Sequence, residues 1–182
     1  MIMRFETINE LAKEVHLNAV DKGFWENNQS DEHCLCLVIS ELMEAVEADR
    51  KGRHADVESF KILMDGCEEL FYINFSNCIK DTIEDEISDA FIRLLDLAGS
   101  HKYIFDTEYD INMITAKKSF TENIYEIVQV LTYKKYSTKG KVTYVAQHII
   151  KLAEILKIDL EYHVRLKMRY NSLREYKHGK AY

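Results

Sequence analysis

The sequence predicts an all-α bundle of about six main helices. Three observations carry that reading. The 182 residues contain no proline, the strongest helix breaker. Apolar residues recur at three- and four-residue intervals along several long segments. Gly, Asn, Asp and Ser clusters fall between those segments. With 47% apolar and 30% charged residues the composition is globular, and the length suits one domain spanning residues 1–182.

The first helix is expected from Glu6 to Val20, with Ile8, Leu11, Ala12, Val15 and Ala19 on one face, and Asp21-Lys22-Gly23 closing it. After Phe24-Trp25 a polar loop, Glu26 to Ser30, leads to a helix capped by Ser30 or Asp31 and ending near Gly52. Residues 53–80 are less regular. Val57 to Met64 reads as helix, whereas Leu70 to Phe75 fits a helix or a short strand, the run being too short for periodicity to decide. A clear helix runs from Asp81 to Ala98, with Gly99 as its terminator. Ser100 to Lys118 reads as a loop with a short helix. Three helices follow: Phe120 to Lys134, Val142 to Leu156 and Leu160 to Tyr176, with Lys139-Gly140 dividing the first two and Asp159 capping the last. The face formed by Ile124, Ile127, Val128 and Leu131 suits either a core or an interface.

A formal charge of −7 argues against binding polymeric nucleic acid, which needs excess Lys and Arg. It leaves room for a small anionic ligand, because bound divalent cations invert the local sign. No apolar run reaches the ~20 residues of a membrane span. The opening residues lack a signal-peptide pattern, and four cysteines (Cys34, Cys36, Cys67, Cys78) read as packed or inert thiols. The expectation is a cytoplasmic protein without a membrane partner.

Chemistry concentrates in two acidic pairs. At about 100° per residue, Leu35, Val38, Ile39, Leu42, Ala45 and Val46 form the core stripe of the second helix, and Glu41 and Glu44 sit together on its flank. On the Asp81–Ala98 helix, Ile83, Ile87, Ala90, Phe91, Leu94 and Ala98 form the stripe, and Glu86 and Asp89 take nearly the same offset. If the helices pack together, four carboxylates converge. Uncompensated, they would repel and protonate; a hard cation such as Mg2+ or Mn2+ resolves the conflict. The bland alternative is two solvated acidic faces, with Arg93 neutralising Asp89 one turn away.

These residues resemble the MazG-like family of all-α nucleotide pyrophosphohydrolases, whose motif pairs an E-x-x-E helix with a later E-x-x-D helix. Here they read Glu41-Leu-Met-Glu44 and Glu86-Ile-Ser-Asp89. The segments from His16 to Trp25, Ser40 to Gly52, Asp89 to Ala98 and Lys167 to Lys180 are similar to the phage and bacterial branch. Two features depart from the pattern. Ser40 stands where many members have a further glutamate, and the spacer from Glu44 to Glu86 is long, making residues 53–80 an insertion or enlarged connection.

The resemblance implies hydrolysis of a nucleoside triphosphate to monophosphate and pyrophosphate, as in housecleaning of unwanted (d)NTPs. Glu41, Glu44, Glu86 and Asp89 would hold Mg2+ or Mn2+, and Glu41 and Glu44 are the candidates to take a proton from the attacking water. Lys167, Asn171 and Arg174 recur at i, i+4 and i+7 on one helix face, and with His178 and Lys180 they suit phosphate. Trp25 is a candidate to stack on a nucleobase, and His16 and Asn18 to bond base or sugar. A homodimer or homotetramer is expected by the same resemblance. The competing readings are a non-catalytic nucleotide-binding or helical interaction module of the same fold, and a di-iron bundle. The second lacks the Glu-x-x-His motifs it needs.

Overall fold

A computed structural model of the protein describes residues 4–27, 29–106 and 114–179. Of the Ser100 to Lys118 segment, where a loop with a short helix was expected, residues 107–113 lie outside them. Among the described residues there are eight α-helices and no strand: α1 (Phe5–Asp21), α2 (Asp31–Arg50), α3 (Val57–Met64), α4 (Phe71–Cys78), α5 (Ile83–Ser100), α6 (Phe120–Thr132), α7 (Thr138–Leu156) and α8 (Leu160–Ser172). A one-turn 3-10 helix lies at Glu68–Leu70, and Tyr176–Gly179 is a tight turn with Lys177, His178 and Gly179 at positive φ. The count exceeds the expected six because residues 53–80 fold into two short helices of their own. The ambiguous LFYINF run is helical, since Phe71, Asn74 and Phe75 bury one helical face.

α5 is the hub and packs against α1, α2, α7 and α8. All six residues of its expected stripe are buried. α2 runs antiparallel to it: Asp31, first in α2, hydrogen-bonds His101 just past α5 at 2.7 Å, and at the other end the Ile83 amide donates to the Arg53 carbonyl at 3.1 Å. Residues 54–82 therefore leave and return at nearly the same point. They form a satellite core of Phe60, Phe71, Phe75 and Ile79 that closes on Tyr170 of α8, apart from the main core. Ile124, Ile127 and Leu131 are buried in the main core, with Val128 packed against it, so that face is core.

Helix starts follow the capping residues. Ser30, Asp159 and Thr82 each accept from a backbone amide of their helix, and Ser119 forms a full capping box with Glu122. Three sequence expectations are corrected. Gly99 lies inside α5; a Cβ there would stand 2.5 Å from both the Ala12 carbonyl oxygen and the His16 Cβ, so this glycine permits the close approach of α1. Gly140 lies in the first turn of α7, and Ser137 is the cap, accepting from the Gly140 amide at 3.1 Å. α8 ends at Ser172, four residues early, so Arg174 sits in a turn and does not share a helix face with Lys167 and Asn171.

Beyond α8 the chain folds back over the α1–α2 connection. The Lys177 amide donates to the Lys22 carbonyl at 2.9 Å, and Lys22 Nζ donates to the Ser172 carbonyl at 2.8 Å. Tyr176 lies against Gly23, where a Cβ would meet its ring at 2.2 Å.

Candidate metal centre and adjoining cavity

The antiparallel packing of α2 on α5 sets the two acidic flanks side by side. Glu41, Glu44 and Glu86 each offer a carboxylate oxygen, and these atoms lie within 4.8 Å of one another. Glu41 and Glu86 are only 5% and 4% exposed, whereas Glu44 is exposed and leaves one side open. Arg93 Nε donates to Glu41 Oε1 at 3.1 Å, so the arginine expected to neutralise Asp89 feels the charge of Asp89 and also bonds across to α2.

The fourth expected ligand is differently engaged. Asp89 Oδ2 lies 3.2 Å from Lys167 Nζ, which also donates to Asp85 Oδ2 at 2.9 Å. Lys167 was expected to contact phosphate; it is 5% exposed and its ammonium is turned to these two carboxylates. Burial pulls its ammonium pKa down, but Asp89, Asp85 and Glu86 outweigh that and hold it above the ordinary lysine value. At Glu86 burial comes first, then the charge of Asp85, with Asp89 and Glu44 adding and Lys167 opposing; together they push its carboxyl up to about 8. A buried carboxyl with that pKa is a place for a proton or a cation. The donor set, three carboxylates from two rigid helices, has the hard-oxygen chemistry that Mg2+ or Mn2+ prefers.

Asp89 also lines a cavity between α1, α5 and α8. Val15, Ala19, Ile92 and Met168 form its apolar walls, Arg93, Arg174 and Lys22 its positive side, and Asn18, Asn171 and His178 its neutral polar groups. Asn171 Oδ1 and His178 Nε2 are buried without a hydrogen-bond partner, as buried polar atoms seldom are. Burial, then the charge of Arg174, lowers the His178 pKa to about 4, so its ring is neutral near pH 7.

The remaining expected residues fall as follows. Asn18, Asn171 and Arg174 line the cavity. His16 and Trp25 pack edge to face, centroids 5.1 Å apart, and both bond Asp96: His16 Nδ1 at 2.8 Å and Trp25 Nε1 at 2.9 Å. The indole nitrogen is thus committed to the protein. Lys180 lies outside the described residues.

Sequence reasoning missed Asp85, Asp96 and His178's place in the cavity wall. For Asp96 a signal existed: Asp89, Arg93 and Asp96 recur at i, i+4 and i+7, one line along α5. For Asp85 none did, because its partner arrives from α8.

Compared with protein-family models, curated proteins and solved structures, the chain has no match.

Proposed function

We propose that this protein is a divalent-metal-dependent hydrolase that cleaves a nucleoside triphosphate into monophosphate and pyrophosphate, in the manner of the MazG-like family it resembles. The observation that carries the reading is the convergence of Glu41, Glu44 and Glu86 within 4.8 Å, beside a cavity that combines apolar walls, three cationic side chains and two unpartnered polar atoms.

In this reading Glu41, Glu44 and Glu86 hold Mg2+ or Mn2+. The bound ion supplies a Lewis acid for the phosphoryl oxygens and lowers the pKa of water. Arg93, Arg174 and Lys22 face the polyphosphate, and the planar fork of Arg174 suits bidentate contact with it. Lys167, clamped between Asp85 and Asp89, is a fixed positive charge at the edge of the acidic centre. Glu44 is better placed than Glu41 to take a proton from water, because it is exposed while Glu41 is tied to Arg93. Asn18, Asn171 and His178 bond the base or sugar against the apolar walls.

The test is a panel of common and modified (d)NTPs with Mg2+ and Mn2+, assayed for pyrophosphate and separately for orthophosphate. The expected result is pyrophosphate without orthophosphate from at least one substrate. Glu41→Gln and Glu86→Gln should each cut turnover on the order of a hundredfold or more with helicity unchanged. Unaffected turnover in both variants would remove the site assignment. A second reading, nucleotide binding without hydrolysis, is favoured by the engagement of Asp89 with Lys167; it predicts saturable metal–nucleotide binding and no pyrophosphate from any substrate.

A further inference from the structure

The acidic centre continues past the E-x-x-E and E-x-x-D residues. Asp81, Asp85 and Glu86 form a second group whose ligand oxygens lie within 4.8 Å of one another, and Glu86 belongs to both groups. The element that positions it is the start of α5. Asp81 sits just before the helix with φ +61, and Thr82 caps it. Asp85 is then 1% exposed in the first turn.

Acidic clusters alone are common, but Asp85 is only half satisfied. Its Oδ2 accepts from Lys167 Nζ at 2.9 Å and from the Asp81 amide at 3.1 Å. Its Oδ1 is buried with no hydrogen-bond partner at all. A fully buried, unpaired carboxylate oxygen costs free energy unless something binds it. Lys167 already serves the other oxygen, and Asp81 and Glu86 are acceptors when ionised. The partner that fits is a cation.

Charge leads to the same place. Glu41, Glu44, Asp81, Asp85, Glu86 and Asp89 crowd one place, where Arg93 pairs with Glu41, Lys167 with Asp85 and Asp89, and Lys80 with Asp81. Carboxyls packed this closely repel one another when ionised, and bound cations relieve that repulsion.

We infer that the centre takes two divalent cations, one in Glu41, Glu44 and Glu86, the other in a distinct site built by Asp81 and Asp85, with Glu86 bridging the two. The first site is that of the function proposed above and the inference rests on that reading; the second uses two residues outside the motif pairs. Lys167 stays on Asp85 Oδ2 and leaves Oδ1 for the ion. Glu86 is the shared ligand, as bridging carboxylates are in two-metal centres with ions ~4 Å apart.

The test is to count Mn2+ bound to the chelator-treated full chain by equilibrium dialysis and by electron paramagnetic resonance. Asp81→Asn is the main probe. Asparagine is among the few residues that accept a positive φ, and Asp81 is exposed, so the variant should fold. The expected result is two Mn2+ per chain with a signal broadened by spin coupling. Asp81→Asn and Asp85→Asn should each weaken the second ion about tenfold or more and restore an uncoupled six-line spectrum. A single uncoupled Mn2+ that is lost in Glu44→Gln but indifferent to Asp81→Asn would overturn the second site and leave the first standing. No bound Mn2+ at millimolar concentration would overturn both.

Discussion

Glu86 is held ionised only at a cost. Its carboxyl is buried and its pKa in the folded chain is about 8. The unfolded value is near 4.5. A group whose folded pKa is raised contributes stability below its unfolded pKa, and that stability is lost as pH rises through the folded one. Metal-free protein should therefore lose on the order of a few kcal/mol between about pH 5 and pH 9. Glu86→Gln should flatten that profile and melt several degrees higher than the parent at pH 8.5, at about 2–4 °C per kcal/mol, while losing turnover. Mg2+ should raise the parent alone. Thermal melts of both proteins across pH, with and without chelator, decide this; identical profiles would mean that Glu86 is not electrostatically stressed. His178 behaves oppositely. Burial and Arg174, with Arg93 and Lys22 adding and Asp89 opposing, lower its pKa from 6.5 to about 4. Its stabilising share is present above pH 6.5 and is lost as pH falls through 4, roughly 2–3 kcal/mol at most. Acidification below pH 5 should thus release residues 173–179 before the helices melt, seen as C-terminal proteolytic nicking. A tail still protected at pH 4 would contradict it.

At the scale of elements, periodicity and the polar caps Ser30 and Asp159 were dependable guides, and the glycines were not. The core stripes of α2 and α5 stood out because burial on a helix imposes its own spacing, and the matching offset of Glu41 and Glu44 with Glu86 and Asp89 could be projected from that, although only Glu86 of the second pair joins the triad. Glycines misled, since a glycine's purpose is set by what lies opposite it. Gly99 resembled a helix end, but Ala12 and His16 of α1 crowd the space its side chain would fill. The pairing of Lys167 with Asp85 had no sequence signature, because it joins residues 82 apart through the docking of α8. Gly99→Ala makes the distinction measurable. In an exposed helix interior it would stabilise by about 0.5–1 kcal/mol. Here overpacking against backbone should win, and a net loss of about 1–3 kcal/mol is expected. A chemical-denaturation midpoint higher than the parent's would show that α1 and α5 have room to separate.

At the scale of the whole molecule, two cores meet at one helix. The main core is built on α5, while Phe60, Phe71, Phe75 and Ile79 form the satellite. Tyr170 of α8 closes it, stacking on Phe75 at 4.5 Å and on Tyr72 at 4.7 Å. The satellite is small and leaves Ile62, Leu70 and Ile73 largely exposed, so it buries little apolar surface per residue ordered. Such units open below the global unfolding free energy. Phe75→Ala removes a fully buried ring at the satellite's centre, a change that typically costs about 3–5 kcal/mol, and nothing in the main core depends on it directly. Native-state hydrogen exchange of this variant should show α3 and α4 amides losing protection while α5 amides keep the parent's. Because Tyr170 lies one turn after Lys167, the loosened α8 should also weaken the clamp on Asp85 and Asp89, lowering turnover severalfold while the Glu41–Glu44–Glu86 triad stays intact. Equal loss of protection in α4 and α5 would instead make the chain one cooperative unit, with the satellite an integral part of the site's frame.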